Sequence, residues 1–178
     1  MTMKRTDEKT KEWVEGQYAK PDPWGYQRHP DDKYRRLMVM TACLGLAPDG
    51  RFRKALDVGA GEGWITQALP AIEIYGLELS DAAAARFPTS VKRLTDGTHD
   101  HSFDLVVSTE TMFEHYNWKQ IRDAILKAAA PGALIVTCNN TKWEVPAIEK
   151  EIGSPLLVQE FPYRGMVMRL KAWRVCAG

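Results

Sequence analysis

The 178-residue chain has few cysteines, no long apolar run and no excess of charge of either sign. Cys43, Cys138 and Cys176 are odd in number and far apart, and no pair has metal-ligand spacing. A disulfide framework and a structural zinc site are therefore excluded, no metal is expected, and a reduced cytoplasmic chain is the expectation. No apolar stretch approaches the ~20 residues of a membrane span. The start, MTMKRTDEKTKEW, is charged and lacks the apolar centre of a signal peptide. The formal net charge is +1, so no global field draws the chain to nucleic acid. Repeats and low-complexity blocks are missing too. What remains, at 44% hydrophobic and 26% charged residues, is the composition of an ordinary globular protein of one domain.

Residues 1–33 are polar and rich in turn formers; KPDPWGYQRHPDD (20–32) carries three prolines and a glycine, which predicts irregular structure. KYRRLMVMTACLGL (33–46) then places Leu37, Met40, Thr41 and Leu44 at helical spacing. From Lys54 onward short apolar runs alternate with helical patterns. Strands are expected at KALDVG, IEIYGLEL, SVKRLT, FDLVVS and PGALIVTC. Helices are expected over 63–70, after Ser80, and over 118–130 with Asn117 as cap. This alternation predicts an α/β fold, a Rossmann-like doubly wound parallel sheet. PLLVQEFPYRGMVMRLKAWRV (155–175) has no room for a crossover helix and should close the sheet as an antiparallel hairpin.

The most informative stretch is ALDVGAGEGW (55–64), with Gly59, Gly61 and Gly63 at every second position. The dinucleotide fingerprint G-x-G-x-x-G uses its last glycine for close helix packing. Here Trp64 stands at that place, and Asp57 would repel a pyrophosphate. An acid there suits an ammonium instead. Glu78, about 20 residues on, is placed to accept both hydroxyls of a ribose. A nucleoside carrying a cationic group satisfies both acids.

ALDVGAGEGWITQAL resembles the first motif of the class I S-adenosylmethionine-dependent methyltransferases. IYGLELS resembles their second acidic strand, LTDGTHDHSFDLVVSTETMFEH their third loop and fourth strand, and PGALIVTC their fifth strand, though APG replaces the usual PGG. The resemblance implies S-adenosylmethionine as cofactor. It implies that Asp57, Gly59, Ala60 and Gly61 line the methionine end, and that Glu78 holds the ribose with Leu79 against the adenine. Asp96 and Gly97 would meet the adenine, and Ser108 or Thr109 would lie under the sulfonium. PDPWGY is similar to the region before the first motif in nodulation-type N-methyltransferases, which act on an amino sugar. By that likeness residues 1–33 form a lid on a single domain over 34–178, with Trp24, and Arg28 or Tyr34, closing the cofactor pocket.

Candidates for the chemistry cluster after the fourth strand: Glu110, Glu114 and His115. His115 is expected as base or substrate contact, with a packed loop histidine as the alternative, and Glu110 as the group that orients an amine. His29 is a second candidate base. Only about 15 residues join the fifth strand to the hairpin, too few for a substrate domain, so a small-molecule acceptor is expected and nucleic acid is not. N-methylation leads. O-methylation, and a cofactor-binding module acting through a partner, are the alternatives. Monomer and homodimer are both compatible with the sequence.

Overall fold

The structure, a computed structural model, describes residues 11–94, 100–114 and 116–176. Seven strands form one sheet: β1 (Phe52–Val58), β2 (Ala71–Leu77), β3 (Val91–Leu94), β4 (Phe103–Thr109), β5 (Ala129–Asn140), β6 (Leu157–Tyr163) and β7 (Met166–Arg174). Their spatial order is β3-β2-β1-β4-β5-β7-β6. β1 pairs in parallel with β2 and β4, β3 with β2, and β5 with β4. β7 runs antiparallel between β5 and β6.

The central strands read as nearly continuous apolar runs because both of their faces are covered. Leu105, Val107, Leu134, Val136 and Cys138 point to one core, with Val39 and Cys43 of α2 (Pro30–Gly45). Val106 and Ile135, one residue out of phase, point to the other core, with Ile125 and Ala128 of α4 (Trp118–Ala128). Asn117 caps α4, its Oδ1 accepting from the Gln120 N–H. Asp57 shares the parity of Ala55 along β1, which sends its side chain toward α2.

Three local expectations fail. The stretch 63–70 is not an α-helix; it holds only a 3-10 turn, Thr66–Ala68. The positive φ of Gly63 and the return to β2 at Ala71 leave no length for more. The N-terminal segment is less irregular than its composition suggests, since α1 spans Lys11–Gln17 and α2 already begins at Pro30. The buried face of α2 is Asp32, Arg35, Val39, Ala42 and Cys43, not Leu37, Thr41 and Leu44; Leu37 is 59% exposed and Leu44 48%. A polar pair occupies the face that apolar spacing would have claimed.

That pair holds the ends of the chain together. Asp32 is fully buried. It accepts from the Tyr163 hydroxyl at 2.7 Å and from Arg164 Nε at 3.0 Å, and pairs with Arg35 Nη2 at 3.2 Å. Arg164, at the β6–β7 turn, also donates to the Trp24 carbonyl at 3.0 Å. Removing one partner of such a buried pair typically costs about 3–5 kcal/mol, because the other charge is left without compensation. Asp32→Ala should therefore lower the unfolding free energy in urea by about that amount; a loss under 1 kcal/mol would show that the network is not structural.

Candidate functional site

The chain runs from β1 to β2 and β3 on one side, and then crosses back from β3 to β4 on the other side of β1. In open α/β sheets, the carboxyl ends of strands at such a switch point form a crevice. A cleft of about 850 Å³ opens there. Its floor is Asp57, Gly59, Ala60, Gly61, Glu78, Leu79, Thr109 and Glu110.

Gly59 and Gly61 both have positive φ, 80° and 57°, which disfavours side chains there. Space points the same way. A Cβ on Gly61 would stand 2.8 Å from the Tyr18 hydroxyl, and one on Gly59 would run into the Thr111 methyl. The loop is thus pressed between the N-terminal segment and the β4–α4 loop. No α-helix lies between Gly63 and β2, so no α-helix N-terminus is offered to a pyrophosphate there. Trp64 fills that space, with the Arg36 guanidinium 4.3 Å above its ring.

The two acids of the floor are held differently. Asp57 is 2% exposed. Its Oδ2 accepts from the Thr66 hydroxyl at 2.7 Å, while Oδ1 is buried with no partner among the described residues. Burial pushes its pKa up to about 7; the Thr66 bond lowers it, Glu78 raises it and Arg35 lowers it. Glu78 Oε2 accepts from the Gly61 N–H at 2.7 Å and Oε1 from the Ser80 N–H at 2.9 Å. It therefore ties the glycine loop to α3 (Asp81–Ala84). Burial raises its pKa, and the N–H donors from Ser80 and Gly61 oppose that rise.

The roof is the N-terminal segment. Trp24 stacks on Tyr26 at 5.8 Å and meets the edge of Tyr18 at 5.0 Å. Arg86 fastens one side, donating to the Tyr18 carbonyl and pairing with Glu62 at 2.7 Å; Arg164 fastens the other. Arg35 also lines the cleft. It is 2% exposed, lies 4.7 Å from the Tyr26 ring centre, and keeps Nε and Nη1 buried without partners among the described residues.

At the far end stand Glu110, Thr111, Phe113, Tyr116 and Trp143. Glu110 has a left-handed backbone, φ 58°, that turns the chain off β4. Its Oε1 accepts from the Asn140 N–H at 2.8 Å, and Oε2 receives no hydrogen bond from the described residues. Burial raises its pKa, while the Arg35 charge lowers it. Asn139 Oδ1 accepts from the N–H groups of Thr111 and Met112 and fixes the loop.

Of the residues expected from sequence, Asp57, Gly59, Ala60, Gly61, Glu78, Leu79, Thr109, Glu110 and Trp24 come together around this cleft. Ser108 does not line it; it is buried below, its hydroxyl donating to the Val58 carbonyl at 2.7 Å. Arg28 faces solvent, 3.5 Å from Asp22. Tyr34 is 44% exposed and packs on Phe161. His29 caps α2 by accepting from the Asp31 N–H. Asp96, Gly97 and His115 lie outside the described residues. Sequence reasoning missed Arg35, Thr111, Tyr116 and Trp143. For Arg35 a signal existed, the i, i+4, i+7, i+8 series Arg35, Val39, Ala42, Cys43. Among the described residues no cluster of His, Cys, Asp or Glu could hold a metal ion, and no helix is long and apolar enough to cross a membrane.

A family described as "Methyltransferase domain" matches residues 56–137. No curated protein matches the sequence. Among solved structures, the N-methyltransferase NodS from Bradyrhizobium japonicum WM9, in complex with S-adenosyl-L-homocysteine, superposes with a TM-score of 0.74 at 17% identity. It covers 92% of this chain and 97% of its own. Magnesium protoporphyrin IX methyltransferase from Synechocystis PCC 6803, with bound S-adenosylmethionine, gives 0.66 at 16% identity, covering 93% and 96%. The [4+2]-cyclase SpnF also gives 0.66, at 13% identity, covering 83% and 82%. Residues 56–137 thus match a methyltransferase domain, and the fold as a whole is the one seen in these solved methyltransferases.

Proposed function

We propose that the protein transfers a methyl group to the nitrogen of a small-molecule amine. The observation that carries this is Glu110. It is a carboxylate at the carboxyl end of β4, anchored through Oε1 by the Asn140 N–H, with Oε2 left for a group in the cleft. An anion at that place attracts and orients an ammonium. The NodS likeness supports the same reading.

The residues of the floor fit the cofactor. When bound, S-adenosylmethionine supplies an electrophilic methyl on a sulfonium. The lone Asp57 Oδ1 accepts from the α-ammonium, and Arg35, with Nε and Nη1 otherwise unpaired, takes the α-carboxylate. A buried donor or acceptor without a partner costs about 1–3 kcal/mol, more when charged. A zwitterion between these two residues removes both penalties. Gly59, Ala60 and Gly61 let the backbone lie against the methionine chain. Glu78 retains lone pairs for the ribose hydroxyls, Leu79 covers the adenine, and Thr109 borders the sulfonium. Residues 13–33 are the lid, with Trp24 closing on the cofactor and excluding water.

An amine needs to be neutral when it attacks. Glu110 holds the ammonium as it arrives and receives its proton, and the alignment of nitrogen, methyl and sulfur supplies most of the acceleration. O-methylation is the second reading, favoured by the raised pKa of Glu110, which suits a base for a hydroxyl.

Two measurements check these roles. Incubation with methyl-labelled cofactor and a pool of small amines should place the label in products retained on a cation exchanger. Glu110→Gln should slow that transfer at least tenfold with S-adenosylhomocysteine affinity unchanged. Label carried only by hydroxyls, or none, would contradict the reading; a [4+2]-cyclase shares the fold, so the outcome decides. The second measurement follows pH. Asp57 is neutral below about 7 and ionised above it, and only the ionised form pairs with the ammonium. S-adenosylhomocysteine should bind several-fold more tightly at pH 8 than at pH 6, and Asp57→Asn should flatten the profile. Parallel profiles would remove Asp57 from the methionine end.

A further inference from the structure

We propose that the acceptor amine is carried on a flat aromatic body that lies against Phe113, Tyr116 and Trp143, with Trp143 setting the choice of substrate. This rests on the methyl-transfer reading above and deepens it.

A cleft of about 850 Å³ sits near the top of the ~300–1,000 Å³ that hold one drug-sized ligand. Its lining has two ends. Glu78 and Leu79 mark the nucleoside end; Glu110, Phe113, Tyr116 and Trp143 mark the other. The rings at this end form an angled wall. Phe113 and Tyr116 stack with centres 5.8 Å apart, and Trp143 meets Phe113 edge-on at 6.1 Å. Trp143 is 38% exposed at the rim, with Lys142 Nζ 5.3 Å from its ring.

The wall is built to keep its shape. Phe113 and Glu144 form an antiparallel bridge, and the Val145 N–H donates to the Met112 carbonyl at 2.8 Å. The β4–α4 loop is thus joined to the connection after β5. Glu144 in turn pairs with Lys171 Nζ at 3.1 Å and with Arg169 Nη1 at 3.1 Å. Lys171 also pairs with Glu149. The residue next to Trp143 is therefore pinned to β7 by two cations. A rigid wall of rings loses little freedom when a ring docks on it, and aromatic pairs add about 0.5–1.5 kcal/mol beyond area burial.

Among the described residues Glu110, Asn117, Gln120 and the Tyr116 hydroxyl are the polar groups near this end, and the Thr111 hydroxyl is engaged with Ser108. The faces of the three rings offer no partner to the several hydroxyls of a sugar, and each hydroxyl laid on them is left unpaired at a cost. An amine on a ring brings one charge, for Glu110, and one apolar face, for the wall. A methylated ammonium product keeps a favourable cation–π contact with Tyr116. Burial and the carboxylates of Glu110 and Glu78 raise the pKa of the Tyr116 phenol to about 12, so its hydroxyl stays neutral and donates a hydrogen bond.

The test is calorimetry on the full chain saturated with S-adenosylhomocysteine, titrated with tryptamine, tyramine or glucosamine. The two aromatic amines should bind at least tenfold more tightly than glucosamine. Trp143→Ala should weaken them at least tenfold and leave S-adenosylhomocysteine affinity unchanged; Trp143→Phe, which keeps a ring, should restore binding to within threefold. Glucosamine binding as tightly, no binding of either aromatic amine, or no effect of Trp143→Ala would each overturn the proposal. If S-adenosylhomocysteine itself fails to bind, the methyl-transfer reading falls first, and this one with it.

Discussion

One buried carboxylate organises the site. Asp32 has no solvent contact, yet it meets Arg35 on its own helix and Tyr163 and Arg164 on the terminal hairpin. Through Arg164 the same knot reaches the Trp24 carbonyl, and the Arg164 N–H bonds Asp31 at 2.6 Å. The two ends of the chain are thereby closed over the carboxyl edge of the sheet. Ion pairs of this kind are weak sources of net stability but severe when broken. Their effect here is geometric: the roof of the cleft and the Arg35 guanidinium are fixed together.

The second constraint is polar satisfaction. In a packed interior nearly every buried polar atom has a partner. Asp57 Oδ1 and Arg35 Nε and Nη1 do not among the described residues, and both residues line the same cleft. Opposite charges held apart on one surface favour a ligand that carries both signs, and the amino-acid end of S-adenosylmethionine carries both. The glycine loop beside them admits close backbone approach, and Glu78 is the proposed contact on the nucleoside side.

The succession of five parallel strands and a closing hairpin was legible because β1, β4 and β5 carry apolar runs and the hairpin leaves no room for a crossover. The floor of the cleft was legible for a different reason. Gly59, Gly61, Asp57 and Glu78 are neighbours of strand ends, so their place follows from the chain itself. The helix expected over 63–70 failed because residue pattern there could not reveal how soon β2 must begin. The buried face of α2 failed because its series Arg35, Val39, Ala42, Cys43 starts on a charge, and what lets Asp32 and Arg35 be buried is the hairpin, 131 residues from Asp32 at Tyr163. Trp143 was equally hidden: its position depends on Glu144 meeting Lys171 and Arg169 across the sheet.

Isothermal calorimetry with S-adenosylhomocysteine and with NAD tests the central claim most directly. Saturable one-to-one binding of S-adenosylhomocysteine, weakened by about 1.5–3 kcal/mol in Glu78→Ala, and no heat with NAD, is the predicted result. Binding of NAD without S-adenosylhomocysteine, or an unchanged dissociation constant in a folded Glu78→Ala protein, would contradict it.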